Sequence, residues 1–567
     1  MTRLRHFLLL FLPTCGLIAS CDNAPPPPAD RVYLNGAVYT FDEERRKVEA
    51  IAIRDGVIVF AGSSTAAARF IDEQTEVTDL AQRMLMPGFL DSHAHVLAAG
   101  LGKAGCNLED ERDPDLIREI LEACAGSGDA EPDEWVTGSR WALAAFPNGR
   151  PPVAWLDEIF AGRPAYFVDS FGHSAWVSSR ALHIAGIDRS TKDPEQGVIE
   201  RDGRGNAIGV LRDAAMELVA RHIPPATPAE LAAAIRTGLA DVRRFGITAY
   251  TEPGLAERHL RAYKAADEAG KLTARVFASM SPIGWDAGKF GNDIYDLIAK
   301  RDAFRGKYLN PDSIKVYIDG VIETETSFML QPYTDGGNFP PFYAAEELAV
   351  LFQKLDAEGL QIHTHAIGDA AIRSALDAYE HAVTVNGPSD NRHQIVHLQL
   401  IDDEDIPRFG ELHVAADFQC MWCYPDEYIE VAIGLVGKDR VDRFYPVAAV
   451  LKGGGLIIGG SDWDVSSLNP LDAIETAITR KNPFTNEGLE LGSGQGVDLQ
   501  TALEMYTRNA SRVMRLDALT GSLEVGKRAD LIVLDRDLFD IPTSEINEAR
   551  VLQTLMDGVE VYTDKAF

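Results

Sequence analysis

Eight strand-like segments recur along the central part of the 567-residue chain, and most of them are separated by stretches with helical periodicity. This alternation is typical of βα units wound into a parallel sheet or barrel, and eight strands fit a (β/α)8 TIM barrel. A helix start supports the scheme, because Thr227 can cap a helix, Pro228 suits its first position and Glu230 completes a capping box. The predicted strands cover residues 83–90, 247–251, 274–280, 314–318, 360–364, 394–398, 413–418 and 455–459.

The sequence pattern differs at the two ends of the chain that follows the signal and linker. There, short segments that alternate apolar and polar residues are separated by Asn-Gly and Asp-Gly turn signals. We expect residues 31–83 and 514–567 to form one composite β-sandwich beside a barrel domain of residues 84–513. Residues 100–218 lie between the first two predicted strands and are too many for a simple connection, so they predict an inserted α+β subdomain. The expected fold class is α/β.

Residues 1–20 are typical of an export signal, because Arg3 and Arg5 precede an apolar run that small residues connect to Cys21. Residues 17–21 (LIASC) resemble the lipobox of bacterial lipoproteins, which implies cleavage before Cys21 and lipidation of its thiol. The alternative is an ordinary secretory signal. Residues 21–30 contain four consecutive prolines, Pro25–Pro28, and predict a semi-rigid linker. We therefore expect an exported protein, anchored on the periplasmic side of a bacterial membrane only through its N-terminal lipid.

The charge balance bears on partners. Lys and Arg number 54 and Asp and Glu number 86, which gives a net charge of −32 and argues against nucleic acid. We expect a small-molecule substrate. The sequence does not decide whether the protein forms a homo-oligomer. Four cysteines remain outside the signal and Cys21, too few for a disulfide scaffold. Cys420 and Cys423 form a lone CxxC, for which loop packing or a local disulfide is favoured over zinc or redox chemistry.

Metal-binding side chains recur where several predicted strands end. His93 and His95 are two residues apart at the end of an apolar strand, so they face the same way and can converge on one ion. A TIM barrel assembles its active site at the carboxyl ends of its strands. Further candidates at such positions are Lys315, His365, His397 and Asp462.

Two of these candidates have a structural alternative. Lys315 alternates with apolar neighbours that face the helices, so it points to the barrel interior. It is either paired with a carboxylate such as Asp319 or Glu323, or it is a carbamylated lysine that bridges two metals. Asp462 is either a helix cap or turn residue or a general base.

The predicted strands contain more histidines than two metal ions would need as ligands. His363 and His365 share one face of their strand, and His393 and His397 share one face of theirs. A single histidine is more often a satisfied structural group than a ligand, although imidazole is the commonest metal ligand. Several histidines at strand ends reverse that balance.

Several motifs resemble the amidohydrolase superfamily of metal-dependent hydrolases. The first strand signature matches, and so does the segment 521–530 where the family's chain re-enters its β-sandwich. Other motifs are similar to the amidohydrolase 3 branch, which includes YtcJ-like proteins and N-substituted formamide deformylases. The matching strings are MPGFLDSHAH at 86–95, GHSAW at 172–176, HAIGD at 365–369, GSDW at 460–463 and GSLEVGKRAD at 521–530.

The resemblance implies a ligand set. It implies that His93, His95 and Asp462 bind one metal and that a carboxylated Lys315 bridges to a second metal. His365 and His397 would hold that second metal. The resemblance also implies two divalent ions, with zinc expected, while imidazole and carboxylate ligands suit iron, nickel or manganese as well.

The remaining site residues follow from the same resemblance. Asp462 would take a proton from water activated by the metals and pass it to the leaving nitrogen. His173 either contacts substrate from the insertion or makes a structural hydrogen bond there. Trp141, Trp463 and Arg480 are further predicted substrate contacts.

The expected activity is hydrolysis of a nonpeptide carbon–nitrogen bond in an amide or N-substituted formamide. Three positions depart from the family pattern, namely Ser178, Val396 before His397, and Cys420 after a glutamine, and they leave substrate choice open. On the same fold an esterase, lactonase or phosphotriesterase is the alternative. A noncatalytic binding lipoprotein is the alternative from a different class.

Overall fold

The computed structural model of the protein describes residues 26–126, 133–194, 197–281 and 292–567. The predicted export signal, Cys21 and the first half of the predicted linker lie outside these ranges. Within the described ranges, no helix is both long and apolar enough to cross a membrane.

Eight parallel strands form the central sheet, and each pairs with its neighbour in chain order. The first and eighth strands are joined by backbone hydrogen bonds from Ser92 N to Gly459 O (3.1 Å) and from Asp462 N to His93 O (2.7 Å). The sheet thus closes into a barrel, which confirms the predicted fold class. In order, the barrel strands are Phe89–Asp91, Ile247–Leu255, Arg275–Met280, Leu309–Tyr317, Gln361–Ala366, Gln394–His397, Ala415–Phe418 and Ile457–Gly459.

The prediction of one strand over residues 83–90 is wrong, because the structure divides this segment between two sheets. Met84–Pro87 belongs to a sheet of the terminal domain, and only Phe89–Asp91 belongs to the barrel. The change occurs at Gly88, where a Cβ would lie 2.3 Å from the Thr248 side chain. A continuous apolar run predicts burial, but it does not show which neighbour takes the hydrogen bonds.

Helices cover the outside of the barrel. The capping box at Thr227 is confirmed, since Glu230 Oε2 accepts from Thr227 N at 2.7 Å and Thr227 Oγ1 accepts from Glu230 N at 3.3 Å. The helices of the barrel region are Val96–Gly102, Pro228–Arg244, Glu257–Glu268, Asn292–Lys300, Ala345–Ala357, Asp369–Asn386, Ile406–Glu411, Glu427–Val436, Lys438–Val441, Val447–Lys452, Pro470–Thr479, Leu499–Met505 and Arg508–Val513.

Two further sheets lie in the terminal segments and share one apolar core. One has six strands drawn from both ends of the chain, and the other has four strands from the N-terminal end with the short helix Ser64–Ala67 beside them. The strands of the first sheet are Ala37–Tyr39, Lys47–Val48, Met84–Pro87, Leu531–Leu534, Val551–Met556 and Val559–Thr563; those of the second are Arg31–Leu34, Ala50–Arg54, Val57–Gly62 and Glu76–Asp79.

The segment between the first two barrel strands carries its own six-stranded sheet and core. A disulfide joins Cys106 to Cys124 there, whereas Cys420 and Cys423 near the barrel are buried free thiols and form no local disulfide. The strands of the insertion are Cys106–Asn107, Val136–Trp141, Ala165–Asp169, Ser174–Val177, Gly197–Arg201 and Ala207–Asp213, and its helices are Pro114–Ala125, Val153–Ile159, Ser179–Ile184 and Ala214–Ala220.

Candidate metal centre

The register of the central strands brings the six predicted ligand positions to one end of the barrel. Across the fourth and fifth strands, Lys315 is opposite His363 and Tyr317 is opposite His365. His397 ends the sixth strand beside Ala366. His93, His95 and Asp462 follow the first and eighth strands, where the barrel closes. All six side chains line the same cavity.

His93, His95 and Asp462 form a compact group of donor atoms. The Nε2 atoms of His93 and His95 lie 3.1 Å and 3.2 Å from Asp462 Oδ1. One donor atom of each residue lies within 4.8 Å of the others, a spacing that can hold one metal ion. Burial raises the pKa of Asp462, but its hydrogen bond with His95 and the nearby positive charges outweigh burial and leave that pKa below its usual value. Asp462 is therefore a carboxylate.

His365 and His397 form the adjacent pair. Their ring centroids lie 4.5 Å apart, and His397 Nδ1 is 3.9 Å from Asp462 Oδ2. Within the described part of the chain, this buried Nδ1 has no hydrogen-bond partner. Burial, together with neighbouring charges, holds the pKa values of both imidazoles well below the usual range. Both rings are thus neutral, the form that binds metal.

Lys315 is buried in the barrel interior and 1% exposed. Burial lowers the pKa of its ammonium to about 7, although the charges of Asp462 and Asp417 oppose this shift. Neither carboxylate considered from the sequence pairs with it: Asp319 accepts hydrogen bonds from backbone N–H groups, and Glu323 accepts one from Gln399. At neutral pH, a large fraction of Lys315 is the free amine.

A second set of polar groups supports the donors from behind. His363 Nε2 lies 2.7 Å from His93 Nδ1, so it orients the ring whose other nitrogen faces Asp462. Asp91 Oδ1 accepts from the backbone N–H groups of His93 and Ser461, which fixes the segments that carry the donors. The sequence shows His363 as one of several histidines, but it carries no signal for this contact.

His173 reaches the cavity from the insertion and is fixed by a carboxylate. Its Nδ1 lies 2.7 Å from Asp213 Oδ1, and its ring centroid is 5.5 Å from that of His365. Burial lowers the pKa of His173, but the hydrogen bond and charge of Asp213 raise it more, so the net pKa lies above the usual value. Asp213 has φ +45° and ψ −124°, a conformation that costs an L-residue energy. The structure shows the structural hydrogen bond of His173 and places its side chain in the cavity wall, while its contact with substrate stays a prediction.

The other predicted substrate contacts fall in different places. Trp463 lines the cavity. The structure corrects the prediction for Trp141, whose indole lies in the core of the insertion and donates to Phe167 O at 2.9 Å. It also corrects the prediction for Arg480, which is 1% exposed and donates to two backbone carbonyls away from the cavity wall. Large polar side chains near a motif are equally suited to internal hydrogen bonds, which local sequence does not reveal.

The cavity above the donors has a volume of about 1350 Å³. Its walls come from barrel loops and from the insertion, and they include Trp422, whose ring is stacked on His397 at 5.7 Å. Small-molecule sites typically measure about 300–1,000 Å³. The space therefore admits a substrate much larger than a formyl group.

Comparisons with known proteins agree with this geometry. A model described as the amidohydrolase family (Amidohydro_3) matches residues 76–562. The putative amidohydrolase YtcJ of Bacillus subtilis is 27% identical over 541 residues, which cover 94% of this chain and 99% of that protein. The N-substituted formamide deformylase of Arthrobacter pascens is 26% identical over 552 residues, which cover 94% of this chain and 98% of that protein.

A solved structure extends the comparison to the fold. The crystal structure of an uncharacterized metal-dependent hydrolase from Pyrococcus horikoshii superposes with a TM-score of 0.72 at 23% sequence identity. The match covers 90% of this chain and 99% of that chain. At this level of identity, the likeness concerns the fold.

Proposed function

The chain belongs to the amidohydrolase family, as its motifs predict, and on that premise we propose that it is a metal-dependent hydrolase of nonpeptide carbon–nitrogen bonds, acting on an N-substituted formamide or a related amide. One observation carries the proposal: four imidazoles and a carboxylate, which are ligands of divalent metals, line one cavity together with the buried Lys315 at the carboxyl end of the barrel. The name of the Arthrobacter relative supports the formamide class.

The donor set fits two divalent ions. His93, His95 and Asp462 would hold one, and His365 and His397 the other, with a carboxylated Lys315 between them. The unpartnered Nδ1 of His397 and the neutral-amine fraction of Lys315 support this assignment. Zinc suits imidazole and carboxylate ligands at this spacing. A bound divalent ion would supply Lewis acidity toward water and toward the substrate carbonyl.

The chain's own residues account for proton transfer and orientation. Asp462 is held as a carboxylate, so it can accept the proton of the attacking water and return it to the leaving nitrogen. His173, oriented by Asp213, faces the same space from the insertion and can donate a hydrogen bond to the substrate. The insertion closes one side of the cavity and limits the access of bulk water.

The test measures metal content and product together. Protein supplemented with zinc and bicarbonate should hold about two ions per chain and should release formate and an amine from N-benzylformamide. Matched benzyl formate and a benzyl phosphotriester serve as comparisons. A larger rate enhancement over uncatalysed hydrolysis for either ester than for the amide would replace this proposal with an esterase or phosphotriesterase. Full metal content with no turnover on an amide library would favour a binding protein.

We propose in addition that the mature protein is exported and anchored through a lipid on Cys21. The proposal rests on residues 3–21 of the sequence. Full-length protein made in a bacterium should fractionate with membranes, and Cys21→Ser should shift it to the soluble periplasmic fraction. Retention of the variant in the membrane fraction would contradict the lipid anchor.

A further inference from the structure

Three carboxylates line the cavity on the side formed by the insertion and by two barrel loops: Asp169, Glu323 and Asp426. Asp169 is 3% exposed, while Glu323 and Asp426 are half-buried. We call these three residues the acidic wall. They lie outside the six candidate metal ligands.

The three carboxylates come from separate segments of the chain and line the same cavity. Asp426 Oδ1 accepts from the backbone N–H groups of Tyr428 and Ile429. The Tyr428 ring meets the Phe171 ring, two residues from Asp169, with 4.6 Å between the ring centroids. Burial raises the pKa of Asp426, and the charges of Glu427 and Glu323 add to this shift.

No described residue forms an ion pair with any carboxylate of the acidic wall. The two cationic side chains whose charges act on Asp169 have carboxylate partners of their own: His173 Nδ1 lies 2.7 Å from Asp213, and Arg212 Nε lies 2.8 Å from Glu200. The cations that line the cavity, apart from Lys315, already have partners. These pairs are Lys103 and Arg244 with Asp241, Arg112 with Glu427, and Arg140 with Asp110.

Asp169 gives the clearest sign of a missing partner. Its Oδ1 accepts from Ser174 N at 2.8 Å, but its buried Oδ2 has no hydrogen-bond partner among the described residues. An unpaired buried carboxylate oxygen is costly. Burial raises the pKa of Asp169 and of Asp426 to about 6 each, so both remain mainly ionised at pH 8. The charges of His173 and Arg212 offset part of the negative charge of Asp169, and the acidic wall contains the carboxylates of Glu323 and Asp426 as well.

Aromatic rings frame the same region. Phe171, Tyr424, Tyr428 and Tyr445 line the cavity close to the acidic wall. Burial raises the pKa of Tyr445 well above its usual value, and the negative charges of Glu323 and Asp426 add to this shift. Carboxylates beside aromatic faces are the surroundings that favour an organic cation.

We propose that the acidic wall binds a positively charged nitrogen group of the substrate, an ammonium or amidinium, while the bond to be cleaved lies at the candidate metal centre. This inference rests on the proposed function for the choice of substrate, but the cation subsite can be tested without turnover. The expected substrates are therefore amides that carry a second nitrogen with a positive charge.

The binding test compares benzamidine with benzamide, which have nearly the same shape and differ in charge. Calorimetric titration of the metal-loaded protein at pH 8 should give a Kd about tenfold or more lower for benzamidine, because charge-assisted hydrogen bonds are roughly twice as strong as neutral ones. The preference should weaken as salt is raised. Equal Kd values would overturn the proposal.

Isosteric variants locate the subsite. Asp169→Asn and Glu323→Gln should each reduce the benzamidine preference several-fold, and the double variant, which keeps only Asp426 of the acidic wall, should remove most of it. Glu109→Gln is the control, because it removes an exposed carboxylate at the cavity rim and should leave the preference unchanged. A preference that survives undiminished in the double variant would place the cation elsewhere and overturn the proposal.

A substrate pair separates this inference from the proposed function. N-[4-(aminomethyl)benzyl]formamide and N-(4-ethylbenzyl)formamide differ only by a charged group of equal size, and the charged compound should have a kcat/KM about tenfold higher. Turnover of both compounds at equal kcat/KM would overturn the proposal that the acidic wall binds a cation, and it would leave the proposed hydrolase activity unaffected. A benzamidine preference without turnover of either compound would support the wall and count against the formamide activity.

Discussion

The two ends of the barrel use the same side chain in opposite ways. At the amino end of the sixth strand, His393 Nδ1 accepts from Ile362 N at 3.1 Å and its Nε2 lies 3.0 Å from Asp356 Oδ1. At the carboxyl end of that strand, His397 Nδ1 has no hydrogen-bond partner in the described ranges and lies 3.9 Å from Asp462 Oδ2. Satisfied imidazoles hold strands together, whereas imidazoles that converge without partners are available to bind an ion.

Asp462→Asn should produce the largest difference between the two ends. An amide cannot accept the proton of the attacking water, so kcat should fall about 10³-fold, within the 10²–10⁴ range of general acid–base catalysis. Steady-state kinetics on the best amide substrate, with metal content measured on the same sample, checks this. The midpoint of thermal unfolding should change little, since the variant keeps the side-chain shape.

The metal measurement decides how this first result is interpreted. A large loss of kcat at full metal content would assign proton transfer to Asp462. A loss of kcat that matches a fall in metal content would show that the main role of Asp462 is to bind metal. A kcat within tenfold of the parent value at full metal content would contradict both roles.

His173→Gln tests whether the insertion takes part at the carboxyl end. Loss of the oriented imidazole should lower kcat/KM by about 10–100-fold, the usual effect of a lost outer partner, with metal content unchanged. Asp213→Asn should have a similar effect because Asp213 acts through His173, and the double variant should be no worse than either single variant. Additive losses would show that the two residues act separately.

Lys315, which lines the cavity at the carboxyl end, predicts a pH dependence. Its pKa of about 7 means that the neutral amine, the form that reacts with carbon dioxide, grows from roughly a tenth at pH 6 to roughly nine-tenths at pH 8. At a constant concentration of dissolved carbon dioxide, the rate at which stripped protein recovers two ions per chain in zinc should therefore rise several-fold over this interval and level off above pH 8. Lys315→Arg, which stays protonated, should show no such rise. A rate independent of pH in the parent protein would contradict a carboxylated lysine.

Sequence patterns predicted those parts of the molecule whose information is local. The barrel strands and the capping box at Thr227 follow from periodicity and spacing. The six candidate positions were expected together at strand ends, because strand ends meet at one face of a barrel, and the structure brings them into one cavity. Their roles as ligands come from the family resemblance and stay a prediction. Non-local pairing was beyond such patterns. The contact of His173 with Asp213 depends on an antiparallel pairing of Ser174–Val177 with Ala207–Asp213, and only the folded insertion reveals it.

The same limit explains the placements that differ. Trp141 was predicted to contact substrate, but its indole N–H donates a hydrogen bond to the backbone carbonyl of Phe167 inside the insertion. The run at 83–90 is apolar throughout, so no local signal marks the change of sheet at Gly88. In each case the deciding partner lies far away in sequence.

His393→Phe should have the smallest effect on turnover, and it tests the difference between the structural histidine at the amino end of the barrel and the candidate ligand at the carboxyl end. Phenylalanine fills the space but leaves the Ile362 N–H without its acceptor, while Asp356 keeps its bonds from Asn386, Ser389 and Asn391. One unsatisfied buried donor costs about 1–3 kcal/mol, so the midpoint of thermal unfolding should fall while kcat per folded chain stays within about twofold. His397→Phe should show the reverse pattern, with metal content and kcat lost, while the unfolding midpoints of the metal-free variant and the metal-free parent stay nearly equal. If both variants lost activity and stability to the same extent, the two ends of the barrel would not be functionally distinct, and the number of hydrogen bonds an imidazole makes would not distinguish ligands from structural histidines.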